Sequence, residues 1–212
     1  MKHDSVIFDM DGTLLDTLED LAGAVNATMR EFGFPERTLE EVRTFVGNGV
    51  KVLIDRALPG GVDEATAESA LLFYKIYYAK HNREKTGVYP GVVALMERLK
   101  SENIPCAIVS NKVDAAVKDL AEVFFPGLCA AAIGEKAGIA RKPAPDSVFE
   151  AIRIMDVKNP VYVGDSEVDV ATAKNAGIDG IFVTWGFRDR ELLASVGGKI
   201  IVDTAEELYE AL

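Results

Sequence analysis

Short, almost wholly apolar runs punctuate the chain. They cover Ser5 to Phe8, Ile104 to Val109, Leu128 to Ile133, Val161 to Val163, Gly180 to Val183 and Lys199 to Val202. Runs of this length and composition predict strands buried on both faces. Stretches with a helical period lie between most of them, and that alternation predicts a doubly wound α/β architecture: a mostly parallel sheet with helices on both sides. In such sheets a ligand sits outside the carboxyl ends of the strands.

One interval breaks the alternation. Between Phe8 and Ile104 the chain is far longer than a single crossover helix requires. Leu18, Leu21, Ala22, Val25, Met29 and Phe32 keep a helical period. A second helix is expected from Thr38, where TLEE has the capping-box spacing, and a third in GNGVKVLIDRAL. A fourth starts near Asp63 and carries LLFYKIYYA. The crossover helix is expected to begin at Pro90 in YPGVVALMERLK, because proline suits a first helical turn. Residues 16–86 therefore read as an all-helical cap inserted after the first strand, and 1–15 with 87–212 as a Rossmann-like core.

Charge and cysteine usage narrow the class. The net charge of −11 over 212 residues argues against nucleic-acid binding, which needs clustered Lys and Arg. Cys106 and Cys129 lie in apolar segments and read as reduced thiols packed as small hydrophobes. MKHDSVIFD has no signal-type apolar region, and no window approaches the roughly 20 apolar residues of a membrane span. A cytoplasmic protein with a small-molecule partner, and with no nucleic-acid, membrane or obligate protein partner, is the expectation.

Four polar features fall where the predicted strands end. The first is DMDGT. Asp9 and Asp11 are two residues apart, so in extended backbone they share a face, and both side chains, or one side chain with a neighbouring carbonyl, could reach one point. Two carboxylates about 4 Å apart repel by about 4 kcal/mol at an effective dielectric near 20, a conflict a divalent cation reverses. An all-oxygen site at a strand end suits Mg²⁺. A plain turn at Asp11-Gly12 is the simpler alternative. The second is IPCAIVSNK, where Ser110 and Asn111 at the start of a helix would make an anion site, or an ordinary N-cap. The third is RKPAPD, where prolines stiffen the loop that carries Lys142. The fourth is VGDSEVD: Asp165 at a strand tip and Asp169 one turn into a helix can face one centre, although Ser166 and Asp169 also have capping-box spacing. Taken singly each has a bland explanation; their order along one sheet edge does not.

Such a set can transfer a phosphoryl group. An aspartate attacks phosphorus and splits a hard displacement into two steps. Mg²⁺ and Lys142 offset the repulsion between carboxylate and phosphate, and Ser110 with backbone N–H groups fixes the remaining oxygens. Asp11 is placed to protonate the leaving oxygen and later to deprotonate water.

DMDGTLLDT, the Ser110 strand end, RKPAPD and GDSEVD together resemble, in order, the four motifs of the haloacid dehalogenase superfamily of phosphohydrolases. The resemblance implies Asp9 as nucleophile and Asp11 as acid/base, with a backbone carbonyl on the metal. It implies Ser110 and Lys142 on the phosphate, Asp165 on Mg²⁺ and Asp169 as an outer or second acidic ligand. DxDGT favours phosphate chemistry over dehalogenation. The helical insertion, VRTFVGNGVKVLIDRAL and VTWGF are similar to bacterial phosphoglycolate phosphatases; caps of this kind also serve pyrophosphatases and nucleotide or sugar phosphatases. By that resemblance Arg43 is a candidate for a substrate carboxylate, and Gly47 and Asn48 for backbone contact with the substrate.

Several relatives and one other class fit less well. Thr17 to Glu31 contains no lysine for a phosphonoacetaldehyde-hydrolase Schiff base. The only histidines are His3 and His81, whereas a β-phosphoglucomutase carries one early in its cap. A receiver domain, which also combines an aspartate acceptor, acids, a hydroxyl and a lysine, needs its acceptor on a later strand and no long helical insert.

Overall fold

The computed structural model describes residues 2–212. In chain order the elements are β1 (Ser5–Phe8), β2 (Leu15–Asp16), α1 (Leu18–Glu31), α2 (Leu39–Phe45), α3 (Val50–Ala57), α4 (Glu64–His81) and β3 (Gly87–Val88). Next come α5 (Val92–Ser101), β4 (Cys106–Val113), α6 (Asp114–Phe124), β5 (Ala131–Glu135), α7 (Asp146–Met155) and β6 (Pro160–Gly164). The last are α8 (Glu167–Ala176), β7 (Asp179–Val183), α9 (Arg190–Ser195), β8 (Ile200–Val202) and α10 (Ala205–Ala211). The chain divides into two compact units, Met1–Leu15 with Val88–Leu212, and Asp16–Gly87. The second boundary thus falls one residue later than the sequence pattern placed it.

The larger unit is built on a six-stranded sheet in the order β5-β4-β1-β6-β7-β8. Every pairing in it is parallel. Its strands are apolar on both faces because both are covered. Val6, Phe8, Ile108, Val161 and Val163 belong to one buried cluster, while the intervening Ile7, Ala107, Val109 and Tyr162 belong to another. That is the two-residue alternation of a pleated strand. From β1 the chain moves to β4 and β5 on one side and returns to β6 on the other, so the strand order reverses beside β1. The crevice at such a reversal is where α/β sheets bind ligands.

Four boundaries differ from the sequence reading. Ile104 and Leu128 are apolar because they pack on the core, not because they are in strands. Ile104 closes α5 by donating its N–H to Leu99 O at 2.9 Å, after Asn103 turns left-handed (φ 59°). Leu128 donates to Phe125 O across the turn that follows α6. Pro90 lies before the crossover helix rather than in its first turn. Gly91 is the cap, at φ 79°, and a side chain there would press on Ala205 of α10. Finally, β4 continues through the polar residues Ser110 to Lys112, which are buried.

The smaller unit is four helices. Thr38 caps α2 with the reciprocal Thr38–Glu41 box, and Asp63 caps α4. The buried faces carry Leu21, Val25 and Met29 of α1, Leu53 and Ile54 of α3, and Tyr74 and Tyr78 of α4. Its two ends are tied by buried Asp20, whose carboxylate accepts from Lys85 N, Thr86 N and Thr86 Oγ1 at 2.8–3.1 Å. The ribbon formed by β2 and β3 carries the two chain crossings between the units. Among the described residues no helix is long and apolar enough to cross a membrane.

Candidate active site

The carboxyl ends of β1, β4 and β6 converge on a buried acidic cluster. Asp9 follows β1, Asp165 follows β6 and Asp169 lies in the first turn of α8; their carboxylate oxygens fall within 4.8 Å of one another. All three are buried, at 8, 1 and 0 % exposure. Burial pushes the Asp9 carboxyl up to about 7, with Asp169 and Asp11 adding to the rise and Lys142 opposing it. Asp165 is driven well above the carboxylate range by burial and then by the negative charges of Asp169 and Asp9. Protein groups alone do not stabilise three ionised carboxylates here, the setting in which a divalent cation with oxygen ligands fits.

One cation of the chain already enters it. Lys142 is 5 % exposed, and its Nζ lies 2.8 Å from Asp9 Oδ1, 2.9 Å from Asp169 Oδ1 and 2.9 Å from Tyr162 Oη. These contacts use the three donors of an ammonium. Burial lowers the proton affinity of the amine, but Asp169 and Asp9 outweigh it and hold the lysine protonated. The loop that carries it is fixed at the backbone. Asn111 Nδ2 donates to Lys142 O at 3.0 Å, and Lys142 N donates to Asn111 Oδ1 at 2.8 Å. The Lys142–Pro143 peptide is cis.

Asp169 combines the two roles the sequence left open. Its Oδ2 accepts from Ser166 N, Ser166 Oγ and Asp165 N at 2.6–3.2 Å, the helix-capping role. Its Oδ1 takes Lys142 Nζ and, at 2.8 Å, Tyr162 Oη. Burial raises its pKa, yet Lys142 and these hydrogen bonds outweigh the burial and lower it. A carboxylate offers about four lone-pair sites, so five donors make Asp169 an anchor for Lys142 and for the turn.

Asp165 is held by Thr13 Oγ1 at 3.1 Å on Oδ1 and Phe187 N at 2.7 Å on Oδ2. Two glycines make room for it: a Cβ at Gly12 or at Gly186 would overlap its carboxylate. Gly12 is also at φ 84°, where side chains are strained.

Asp11 does not join the three-carboxylate group. Its Oδ1 lies 2.7 Å from Lys112 Nζ, a lysine 7 % exposed. Regular strand ends at Phe8 and the chain then turns, with Thr13, Leu14 and Leu15 all donating to Met10 O. The rule that residues two apart share a face therefore lapses between Asp9 and Asp11, and the side chain of Asp11 is corrected as a member of the metal cluster.

The expected helix N-terminus at Ser110-Asn111 is also corrected. The helix starts at Asp114, and Ser110 to Lys112 form a bulge in β4, between Val109, paired with Ile133, and Val113, paired with Glu135. Ser110 Oγ accepts Lys112 N at 3.2 Å, which leaves its hydroxyl proton to donate. The Asn111 side chain grips Lys142 rather than an anion.

The candidates in the smaller unit are placed differently. Arg43 lies in the last turn of α2 with Glu40 Oε2 at 3.8 Å from its guanidinium. Gly47, Asn48 and Gly49 form the turn before α3, with φ 118° at Gly47 and 85° at Gly49.

Sequence reasoning missed Thr13, Lys112, Tyr162 and the Gly186-Phe187 backbone. Tyr162 left a signal, a hydroxyl in an otherwise apolar central strand. Lys112 left a weaker one, a lysine next to a motif serine.

This constellation, acids at the ends of β1 and β6 around a buried lysine on a parallel sheet, defines a class, and the chain belongs to it: residues 6–183 match the haloacid dehalogenase-like hydrolase family. The protein is therefore an enzyme, a hydrolase of that family. Its sequence is 35% identical over 215 residues to the phosphoglycolate phosphatase of Pseudomonas putida KT2440, covering 96% of this chain and 77% of that protein. It is 34% identical over 212 residues to phosphoglycolate phosphatase 1 of Pseudomonas aeruginosa PAO1, with the same coverage. A crystal structure of a candidate phosphoglycolate phosphatase from Lactobacillus delbrueckii subsp. bulgaricus is similar at TM-score 0.95 and 40% identity, covering 100% of this chain and 98% of that one.

Proposed function

We propose that this hydrolase is a Mg²⁺-dependent phosphatase of small phosphomonoesters that works through an aspartyl-phosphate at Asp9, with 2-phosphoglycolate as its substrate. The observation that carries the reading is the buried carboxylate cluster around Lys142 at the strand ends. The names of the relatives at 34–40% identity support the substrate.

Asp9, Asp165 and the backbone carbonyl of Asp11 would hold Mg²⁺, with Asp169 behind them; the ion supplies charge that offsets the phosphate oxygens. Asp9 Oδ1 is fixed by Met10 N at 2.7 Å and by Lys142, which sets the orientation of the carboxylate for in-line attack. In the first step a bond forms between Asp9 and phosphorus, the ester P–O bond breaks, and Asp11 gives a proton to the departing oxygen. In the second step water attacks phosphorus, Asp11 takes its proton, and Asp9 leaves as carboxylate. Lys142 and the Ser110 hydroxyl compensate the charge on the non-bridging oxygens throughout. Arg43 would read the carboxylate of the substrate, with the backbone at Gly47 and Asn48 close to it.

Phosphate release from a panel of 2-phosphoglycolate, pyrophosphate, nucleotides and sugar phosphates tests this. Activity should need Mg²⁺, vanish with chelation and in Asp9→Asn, and be highest on 2-phosphoglycolate. A folded protein idle on the whole panel would refute the phosphatase reading, and preference for another ester would refute the substrate. Arg43→Ala should weaken 2-phosphoglycolate more than p-nitrophenyl phosphate; equal loss on both removes Arg43 as the carboxylate reader.

A further inference from the structure

We infer that Lys112 is a positioning residue for proton transfer: it pins one oxygen of Asp11 so that the carboxylate meets the leaving group and then the water in a fixed orientation. The inference rests on the acid/base reading of Asp11 given above. Lysine is seldom buried without a specific partner. Here the ammonium is 7 % exposed and makes a 2.7 Å ion pair with Asp11 Oδ1. Lys112 reaches inward because β4 bulges between Val109 and Val113.

The bulge is itself braced from the neighbouring strand. Gly134 of β5 packs against it so closely that a Cβ there would lie 2.6 Å from Lys112 O and 2.7 Å from Asp114 N. Gly134 N in turn donates to Asp114 Oδ1 at 2.9 Å. Gly134, Asp114 and the bulge in β4 together therefore aim one lysine at one aspartate. Bulges that redirect a side chain are common beside active sites. With Oδ1 held by Lys112, the carboxylate keeps one orientation when the proton is given in the first step and when it is taken in the second.

The test separates this role from phosphate binding and from plain structural support. Single-turnover rates are measured with 2-phosphoglycolate, whose alkoxide leaving group needs an acid, and with p-nitrophenyl phosphate, whose phenolate leaves unaided. Lys112→Met should slow release from 2-phosphoglycolate by about tenfold to a hundredfold, part of what a general acid contributes, and slow p-nitrophenolate release at least tenfold less. Lys112→Arg should recover part of the loss. In the Asp11→Asn background Lys112→Met should add no further selective loss, because the two residues act as a unit. Calorimetric affinity for inorganic phosphate with Mg²⁺ should change by less than about threefold in Lys112→Met. Equal slowing of both esters, or a large loss of phosphate affinity, overturns the inference. If Asp11→Asn itself fails to discriminate between the two esters, the acid/base reading of Asp11 is what falls.

Discussion

Replacing Asp165 by asparagine should stabilise the metal-free protein while removing most of its response to Mg²⁺. In the cluster of Asp9, Asp165 and Asp169 the carboxylate oxygens lie within 4.8 Å. Were both ionised, two unit charges at that distance would repel by about 3.5 kcal/mol at an effective dielectric near 20; where Asp165 takes up a proton instead, the cost of protonating it on folding replaces that repulsion. Lys142 pairs with Asp9 and Asp169 but has no hydrogen bond to Asp165. Asparagine suits the same bonds: its Oδ1 can accept Phe187 N, and its amide can donate to Thr13 Oγ1 with the hydroxyl turned round. After an allowance for the screening by Lys142, the relief is about 1–3 kcal/mol, or roughly 2–10 °C in Tm for a chain of this size. Thermal unfolding in a chelating buffer at pH 7.5, repeated with saturating Mg²⁺, measures both effects. A lower metal-free Tm in Asp165→Asn, or an undiminished upward shift with Mg²⁺, would refute the electrostatic account of the cluster.

Other consequences are as direct. In metal-free protein the raised Asp9 carboxyl, about 7 against an ordinary 3.8, binds its proton more tightly folded than unfolded; stability should therefore fall as pH rises from about 4 to 7, by on the order of 4 kcal/mol. Asp165 acts in the same direction, whereas the lowered Asp169 contributes its stability already above the unfolded carboxylate value and does not cancel the trend. A Tm in chelator that is flat or rising between pH 5 and 7 would contradict this. Gly186→Ala forces a methyl onto Gly12 O and Asp165, so it should lower Mg²⁺ affinity at least tenfold in calorimetry while the far-ultraviolet spectrum stays native. Asp20→Ala leaves Lys85 N and Thr86 N without their acceptor and should cost about 2–4 kcal/mol; unchanged hydrogen exchange at those two amides would sink it. Burial pushes the thiol of Cys106 up to about 12 and that of Cys129 likewise, so neither should react with a thiol reagent at pH 8 on the time scale of the unfolded chain.

The parallel sheet was legible because both of its faces are covered, which makes β1, β6 and the second half of β7 nearly continuous apolar runs. The helices of the smaller unit were legible for the opposite reason: Thr38 and Asp63 mark the starts of α2 and α4, and only one face is buried. What stayed hidden was the course of β4. Ser110, Asn111 and Lys112 look like the end of a strand, since isolated polar side chains seldom enter a core. They enter this one as members of a mutually satisfied network whose partners, Asp11 and the Lys142 backbone, are distant in sequence. The same limit explains Asp11: its spacing from Asp9 predicts a shared face only while the backbone stays extended. Asp169 shows that two readings of one residue need not compete, because capping a helix uses one carboxylate oxygen and anchoring a lysine uses the other.

The paired strands β2 and β3 have a consequence for tolerance of insertion. Because the chain departs and re-enters side by side, everything between Asp16 and Gly87 behaves as a cassette whose ends already meet. Length and sequence inside such a cassette can change with little penalty in loop closure. The acids and lysines of the sheet edge all lie outside it. Insertions or deletions inside the cassette should therefore leave the strand ends and loops that carry Asp9, Ser110, Lys142 and Asp165 where they are.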